Sequence, residues 1–145
     1  MDNGAFDPLK LENQLCFPLY VASREVIRLY HPYLSALDLT YTQYIAMMAL
    51  WEAGSMSVKA LGERLYLDTG TLTPLLKGME KKGLITRKRS EMDERSVTVA
   101  PTEAGLALRE QAQAIPGKVG SCIPLAPEDA ARLYSLLHEL MEKLA

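Results

Sequence analysis

The chain has 145 residues and a mass of 16.1 kDa, which fits one domain or one subunit of an oligomer. Hydrophobic residues make up 48% of it and charged residues 23%, which excludes a disordered or collagen-like chain. The two cysteines, Cys16 and Cys122, are too few and too distant for a disulfide scaffold or a zinc ribbon. Neither an apolar run of about 18 residues nor a secretory signal occurs, so we expect a cytoplasmic protein without a membrane partner.

The formal net charge of −2 conceals an uneven distribution. Between Lys59 and Arg95 there are nine Lys and Arg residues and six Asp and Glu residues, a balance of +3. The remainder has seven cations and twelve anions, a balance of −5. A basic segment in an acidic chain is typical of a protein that meets phosphate with one face. A solvated surface explains the charge alone equally well, so the pattern within the segment has to decide.

The N-terminal part of the chain predicts one helix. Apolar residues from Leu9 to Tyr30 recur at helical spacing. Pro18 has no N–H to donate, so we expect either a kink there or a helix that begins near Phe17. The His31-Pro32 pair should end the helix, because the residue before a proline disfavours helical geometry.

A capping-box signature opens the next helix. Thr40 is followed three residues later by Gln43, a pair that can satisfy two helix N–H groups reciprocally. The residues up to about Ala53 are apolar nearly all round, which predicts a central helix that Gly54 ends. Ser57 then caps a short helix.

A third helix follows a tight turn. We expect it to begin near Thr71, since Pro74 then falls in the first turn, where its missing N–H would have had no partner. The helix should end at Lys82, with Gly83 in the C′ position.

The rest of the chain predicts a hairpin and two more helices. Strand-like runs at residues 84–89 and 96–100 flank a polar tip. Thr102 should cap a helix to about Ile115 that the Pro116-Gly117 pair breaks, and Pro127 should open the last helix. The expected fold class is mainly α with a small β-hairpin wing.

Helix, tight turn, helix and charged hairpin is the order of a winged helix-turn-helix. In the second helix, the recognition helix, an inward apolar stripe from Leu72 to Met79 leaves hydroxyl groups and lysines outward. Small hydroxyls permit close approach to bases, cations reach phosphate, and Asp93 could brace Arg95 for insertion into a minor groove. We expect DNA contacts from Thr69, Thr71, Thr73, Lys77, Arg87, Lys88, Arg89, Asp93 and Arg95. A winged helix used for protein contact is the alternative.

Apolar stripes at both ends of the chain exceed what one small core can bury. We therefore expect a homodimer that reads two half-sites of a pseudo-palindromic DNA duplex. Within a single domain over residues 1–145, residues of about 40–101 would form the DNA-binding lobe. Residues of about 8–37 and 102–145 would form a helical dimerisation lobe.

Three stretches carry a family resemblance: residues 11–17 (Leu-Glu-Asn-Gln-Leu-Cys-Phe), residues 65–74, and residues 83–97 with the Asp-Glu-Arg-Ser-Val run. They are similar to the organic hydroperoxide resistance regulators, the peroxide-sensing branch of the MarR (multiple antibiotic resistance regulator) family. The likeness extends over essentially the whole chain. It implies a dimeric winged-helix repressor that binds its operator when reduced and leaves it after organic hydroperoxide oxidises an N-terminal cysteine.

In this resemblance Cys16 matches the sensing cysteine. Tyr30 and Tyr41 match, by their spacing from it, the tyrosines whose hydroxyls hydrogen-bond the cysteine and favour the reactive thiolate. Tyr20, one helical turn beyond Cys16, could join them. From the residues alone, a single cysteine on an apolar helical face is more often an inert core residue.

Cys122 lies where two-cysteine members of the branch have their second cysteine. One-cysteine members are released by a mixed disulfide with a small thiol or by over-oxidation, whereas two-cysteine members form a disulfide between subunits. The resemblance therefore implies that Cys16 becomes a sulfenic acid and condenses with Cys122 of the partner subunit. A bystander role for Cys122 is the alternative.

Two residues depart from what the resemblance leads one to expect. Pro18 follows the sensing cysteine by two positions, so the helix could bend differently there. Gly78 occupies a place on the recognition helix where a longer side chain could have reached phosphate.

Two other functions remain open at this point. One is a MarR-type repressor released by reversible binding of a small aromatic ligand. The other is a thiol peroxidase that uses Cys16, although His31 and His138 are isolated and form no catalytic constellation with it. Neither cysteine has a neighbour at metal-ligand spacing, and we expect no cofactor.

Overall fold

The computed structural model describes residues 6–93 and 95–145. These residues form helices α1 (Cys16–Ala36), α2 (Tyr41–Ala53), α3 (Val58–Leu65), α4 (Thr69–Lys81), α5 (Glu103–Ala112), α6 (Ile115–Cys122) and α7 (Pro127–Leu144). They also form strands β1 (Met56–Ser57), β2 (Ile85–Arg89) and β3 (Val97–Pro101), and a single 3-10 turn at Leu11–Asn13. The predicted fold class, mainly helical with a small β wing, is confirmed.

Helix α1 tolerates both of its prolines. It begins at Cys16, so Pro18 lies in the first turn, where backbone N–H groups have no helical partner. The prediction that Pro32 ends the helix was wrong, because α1 continues through it to Ala36. Pro32 removes a single helical hydrogen bond, while the turn beyond it places the side chain of Leu34 in the core.

The ends of α2 follow the sequence signals. Thr40 Oγ1 accepts a hydrogen bond from the Gln43 N–H, and Gln43 Oε1 accepts one from the Thr40 N–H, both at 3.2 Å. Gly54 ends the helix with a φ of 79°, a left-handed conformation that favours glycine. Six residues of α2 are buried, which confirms its central position: Gln43, Tyr44, Ala46, Met47, Ala49 and Leu50.

Helix α4 begins earlier than predicted. Asp68 caps it by accepting a hydrogen bond from the Thr71 N–H at 2.8 Å, so the first helical residue is Thr69 and not Thr71. Pro74 is therefore inside the helix and not in its first turn. Because Pro74 has no N–H, the Gly70 carbonyl lacks its helical hydrogen bond. Gly70 and Pro74 both lie on the exposed side of α4. Gly83 follows the C-cap with a φ of 75°, as predicted.

The three strands form one antiparallel sheet in the order β1-β3-β2. Strands β2 and β3 are the predicted hairpin, with Ile85 opposite Pro101 and Arg89 opposite Val97. Strand β1 was not predicted. It has only two residues, which is too short for a periodic signal, and it pairs with β3 through Met56 and Val99.

The chain divides into two units, with Ile115 the last residue of the first unit and Pro116–Ala145 the second. Thr102 caps α5 as predicted, although α5 ends at Ala112 and not at Ile115. The Pro116-Gly117 pair does not break a helix but lies near the start of α6, where proline is tolerated. Helix α7 begins at Pro127 as expected. No helix in the described ranges has the length and apolar character needed to cross a bilayer.

Candidate nucleic-acid interface and thiol sites

Helix α4 presents polar residues on the side opposite its core contacts. Leu72, Leu76 and Met79 are buried, as the predicted inward stripe requires, and Leu75 is partly buried. The predicted outward residues are placed accordingly: Thr69, Thr71, Lys77 and Lys81 are exposed, and Thr73 is half-buried. Hydroxyl groups near the start of the helix and lysines near its end are thus available to a ligand.

Gly78 lies on the side of α4 that faces α2. A Cβ atom built on it would lie 3.5 Å from Gln43 Nε2. A long side chain at this position would therefore meet Gln43 and would not extend toward phosphate. The small residue allows close packing of α4 against α2, which the sequence alone did not reveal.

The wing, residues 85–101, is fastened to α4 by an ion pair. Arg87 donates from Nε to Glu80 Oε2 and from Nη2 to Glu80 Oε1, both at 3.2 Å. The hydrogen bond from Arg87 holds the pKa of the Glu80 carboxyl below its ordinary value of 4.5. Lys88 and Arg89, the neighbours of Arg87 on β2, are exposed. Of the three cations predicted to bind DNA from this strand, one is thus engaged within the protein.

Asp93 shapes the turn at the tip of the wing. Its Oδ1 accepts a hydrogen bond from the Arg95 N–H at 3.0 Å, and its carbonyl accepts one from the Ser96 N–H at 2.9 Å. The contact between Asp93 and Arg95 shown here therefore involves the backbone of Arg95, whose side chain is exposed. Glu94 lies outside the described residues.

Tyr30 and Tyr41 lie together, in a cluster of three tyrosines. Their ring centroids are 5.1 Å apart in an edge-on arrangement, and Tyr44 lies 5.7 Å from Tyr30 and 6.3 Å from Tyr41. Burial raises the pKa of Tyr41 above its ordinary value of 10.0, and Tyr30 adds to the rise. The pKa of Tyr44 is raised in the same way. Sequence reasoning missed Tyr44, although its i+3 spacing from Tyr41 places both on one helical face.

Cys16 and Tyr20 lie far from this cluster within one protomer. Cys16 is the first residue of α1 and is exposed. Tyr30 follows it by fourteen residues on the same helix, a rise of about 21 Å. Tyr20 is exposed as well, and the guanidinium of Arg24 lies 5.5 Å from its ring centroid. A hydrogen bond from Tyr30 to a Cys16 thiol thus requires two copies of the chain.

Cys122 is the last residue of α6 and belongs to the second unit. Its thiol, like that of Cys16, is free and exposed. No group of three or more His, Cys, Asp and Glu residues within residues 6–93 and 95–145 could hold a metal ion.

Beside the tyrosine cluster, an open cavity of about 510 Å³ lies between α1 and the start of α2. Its apolar lining includes Ile27, Leu34 and Leu39, and Tyr41 also lines it. The remaining lining residues are polar or charged: Arg24, Arg28, His31 and Thr40. The cavity is thus suited to a small molecule with an apolar body.

Comparisons with known proteins agree with this architecture. The sequence-family description "Transcriptional regulator SarA/Rot" matches residues 28–111. An organic hydroperoxide resistance transcriptional regulator of Bacillus subtilis (strain 168) is 54% identical over 139 residues, which cover 96% of this chain and 95% of that one.

Solved structures extend the comparison. Reduced AbfR bound to DNA superposes with a TM-score of 0.76 at 31% identity and covers 93% of this chain and 94% of that one. Disulfide-formed AbfR has a TM-score of 0.61 at 32% identity and covers 92% of this chain and 89% of that one. AbfR is a protein of Staphylococcus epidermidis. A MarR variant from E. coli in complex with operator DNA has a TM-score of 0.83 at 27% identity, with 93% and 99% covered. The chain therefore belongs to the MarR family of winged helix-turn-helix transcriptional regulators, in the branch of the organic hydroperoxide resistance regulators.

Proposed function

We propose that this regulator is a homodimeric repressor that binds operator DNA while Cys16 is reduced and leaves it when an organic hydroperoxide oxidises Cys16. The observation that carries the proposal is the presence, in one chain, of an exposed basic winged helix and an exposed cysteine at the start of α1. The relative named for organic hydroperoxide resistance and the DNA-bound form of AbfR support the DNA-binding part of the proposal. The disulfide-formed AbfR supports the cysteine-oxidation part. The switch would operate in the cytoplasm, where thiols are kept reduced until a peroxide arrives.

The DNA contacts follow from the exposed face of α4 and the wing. Thr69, Thr71 and Thr73 would approach base edges in a major groove, where their methyl groups can touch thymine. Lys77 would reach the phosphate backbone. From the wing, Lys88, Arg89 and Arg95 would contact phosphates or the adjacent minor groove. Arg87 would act mainly by holding the wing against Glu80.

The dimer is supported by apolar surface that one protomer leaves uncovered. No residue of α7 is buried, although Leu133, Leu136 and Leu140 recur along it at helical spacing. Leu15 and Phe17 at the start of α1 are exposed too. A second copy related by two-fold symmetry would cover such faces and present two recognition helices to a pseudo-palindromic site. Residues of about 8–37 and 102–145 would then form the dimerisation lobe.

The tyrosine cluster would complete the sensor across that dimer. Because Tyr30 lies about 21 Å along α1 from Cys16, its hydroxyl and that of Tyr41 would meet Cys16 of the partner subunit. Phenol groups that donate hydrogen bonds stabilise a thiolate relative to the thiol. Tyr20 lies on the same helix as Cys16, one turn further on, and would reach it within the protomer.

The chemistry begins with the Cys16 thiolate. It attacks the distal oxygen of the hydroperoxide and breaks the O–O bond, which gives a sulfenic acid at Cys16 and releases the alcohol after protonation. The thiolate of Cys122 of the partner subunit then attacks the sulfenic sulfur. A disulfide forms and hydroxide leaves as water after protonation. The hydroperoxide is the only oxidant, and each disulfide uses one molecule of it.

The test is operator binding by fluorescence anisotropy before and after one equivalent of cumene hydroperoxide. We expect the wild type to leave its own upstream DNA and the Cys16→Ser variant to stay bound. On a non-reducing gel the oxidised wild type should run as a cross-linked dimer, whereas Cys122→Ser should run as a monomer. Release of Cys16→Ser by peroxide would overturn the sensing role of Cys16, and a monomer band for the oxidised wild type would overturn the disulfide.

The cavity beside Tyr41 favours one alternative, a repressor released by reversible binding of a small aromatic ligand. The binding of that ligand needs no thiol. Release of Cys16→Ser from operator DNA by salicylate, with no response of the wild type to hydroperoxide, would favour this alternative.

A further inference from the structure

One side chain ties the end of the recognition helix to the segment between α1 and α2. Lys82, the C-cap of α4, donates from Nζ to the Asp38 carbonyl at 2.6 Å and to Gln43 Oε1 at 3.0 Å. Its Nζ also lies 3.7 Å from the Asp38 carboxylate, and its side chain is only 31% exposed. Hydrogen bonds from a charged donor in such partial shelter are stronger than an exposed ion pair.

Asp38 is held in an unusual conformation. Its φ of 53° lies in the left-handed region, which few residues other than glycine adopt. The conformation belongs to the turn that ends α1, where the Leu39 N–H donates to the Leu34 carbonyl at 2.9 Å and the Asp38 N–H donates to the Ser35 carbonyl at 3.1 Å. Lys82 thus binds the carbonyl of Asp38, whose left-handed conformation turns the chain between α1 and α2.

Gln43 joins this contact to the cap of α2. Its Oε1 accepts hydrogen bonds from the Thr40 N–H and from Lys82 Nζ, so one buried oxygen serves both helices. Tyr41 follows Thr40 directly and belongs to the tyrosine cluster. A displacement of Tyr41 therefore moves the cap, and with it an acceptor of Lys82.

Resting on the proposed function, we propose that Lys82 is a positioning residue that transmits the state of the tyrosine cluster to the recognition helix. While the cluster is at rest, Asp38 and Gln43 hold the C-terminal end of α4 where its outward residues fit DNA. Displacement of Tyr41 when Cys16 of the partner subunit is oxidised shifts these acceptors, and α4 follows through Lys82. Close packing at Gly78 on the same side of α4 lets the helix move with α2.

The test measures the operator dissociation constant of each variant with Cys16 reduced and with Cys16 oxidised. The quantity compared between variants is the ratio of the oxidised to the reduced dissociation constant. Lys82→Met keeps the aliphatic stem and removes the donor, Lys82→Gln is a second neutral variant, and Lys82→Arg keeps a cationic donor. Arg64→Met is the matched control. It also removes a cation that forms an ion pair with α2, but the partner is Glu52 and the pair involves neither Asp38 nor Gln43. Mass spectrometry measures the extent of Cys16 oxidation in each variant.

We expect the ratio to fall by about fivefold or more in Lys82→Met and Lys82→Gln, at equal Cys16 oxidation, and to stay within about twofold of wild type in the other two. A lost phosphate contact or a less stable fold weakens both redox states and cancels in the ratio. A ratio within about twofold of wild type in both neutral variants would overturn the role of Lys82, as would an equal fall in Arg64→Met. A wild-type ratio of one would instead overturn the proposed function.

Discussion

Gly105 is the position where one added methyl group should do most damage. It is the third residue of α5, and its N–H donates to Thr102 Oγ1 at 3.1 Å. A Cβ atom there would lie 2.1 Å from the Leu84 carbonyl oxygen and 3.2 Å from Met47 Cε. The start of α5 and the chain at Leu84 would have to move apart by more than about 1 Å, since ordinary contacts lie near 3.5 Å.

The cost of Gly105→Ala follows from what that movement breaks. The Leu84 oxygen accepts the Thr102 N–H at 3.0 Å, and the Gly105 carbonyl accepts Trp51 Nε1 at 2.9 Å. Overpacking of a core costs about 1–3 kcal/mol, and each weakened hydrogen bond about 1 kcal/mol. The higher helix propensity of alanine returns about 1 kcal/mol. We expect a net loss of about 3 kcal/mol in the free energy of unfolding.

Urea denaturation followed by the fluorescence of Trp51, the single tryptophan, measures this change at fixed protein concentration. Gly78→Ala is the matched control, since its Cβ would lie 3.5 Å from Gln43 Nε2, an ordinary contact. It should gain up to about 1 kcal/mol from helix propensity. Equal midpoints for Gly105→Ala and wild type would refute the close approach of α5 to the chain at Leu84.

Two further predictions concern charge. Glu80→Gln should release the Arg87 guanidinium from its ion pair and let it reach phosphate, which steepens the dependence of log Kd on log salt by about one in anisotropy titrations. An unchanged slope would mean that Arg87 does not reach phosphate. Because burial and then Tyr30 raise the pKa of Tyr41, the stability that its neutral form contributes is complete below pH 10 and is lost as the pH rises through the raised pKa. Tyr41→Phe should reduce that alkaline loss in urea denaturation curves, and an equal loss in both proteins would contradict the assignment.

Local signals predicted the helix caps correctly because each depends on a few neighbouring residues. The Thr40 capping box, the Ser57 and Thr102 caps and the left-handed Gly83 all appear where the sequence placed them. The inward stripe of α4 was predicted for the same reason, since a helical period fixes which side chains share a face.

The prolines were harder to interpret. Pro32 was expected to end a helix and Pro116 to break one, yet both lie within helices. Pro74 was expected in the first turn of its helix and lies further inside it, because α4 begins at Thr69. The loss of one hydrogen bond is a local cost, whereas the burial of Leu34 beyond Pro32 depends on packing that only the folded chain supplies. Local preference therefore gave way to tertiary contacts at Pro32.

The partners of charged side chains could not be read from the sequence, because they come from distant parts of the chain. Counting cations in the basic segment treats all nine as available to DNA, but three are engaged inside the protein. Arg64 pairs with Glu52, Lys82 with Asp38, and Arg87 with Glu80. Among the residues that the structure describes, the other six form no ion pair: Lys59, Lys77, Lys81, Lys88, Arg89 and Arg95.

If the proposed function holds, the division of these cations between two roles would let a mildly acidic chain bind DNA and still respond to oxidation. The free cations lie on the outward side of α4, on the wing and at the start of α3, where they can neutralise phosphate. Two of the engaged cations fasten the ends of the same surface: Arg87 holds the wing to α4, and Lys82 holds α4 to the segment before Tyr41. Loss of a free cation should weaken DNA binding equally in both redox states, whereas loss of Lys82 should change the difference between them. Under the proposed function, affinity and switching would thus depend on different members of one basic segment.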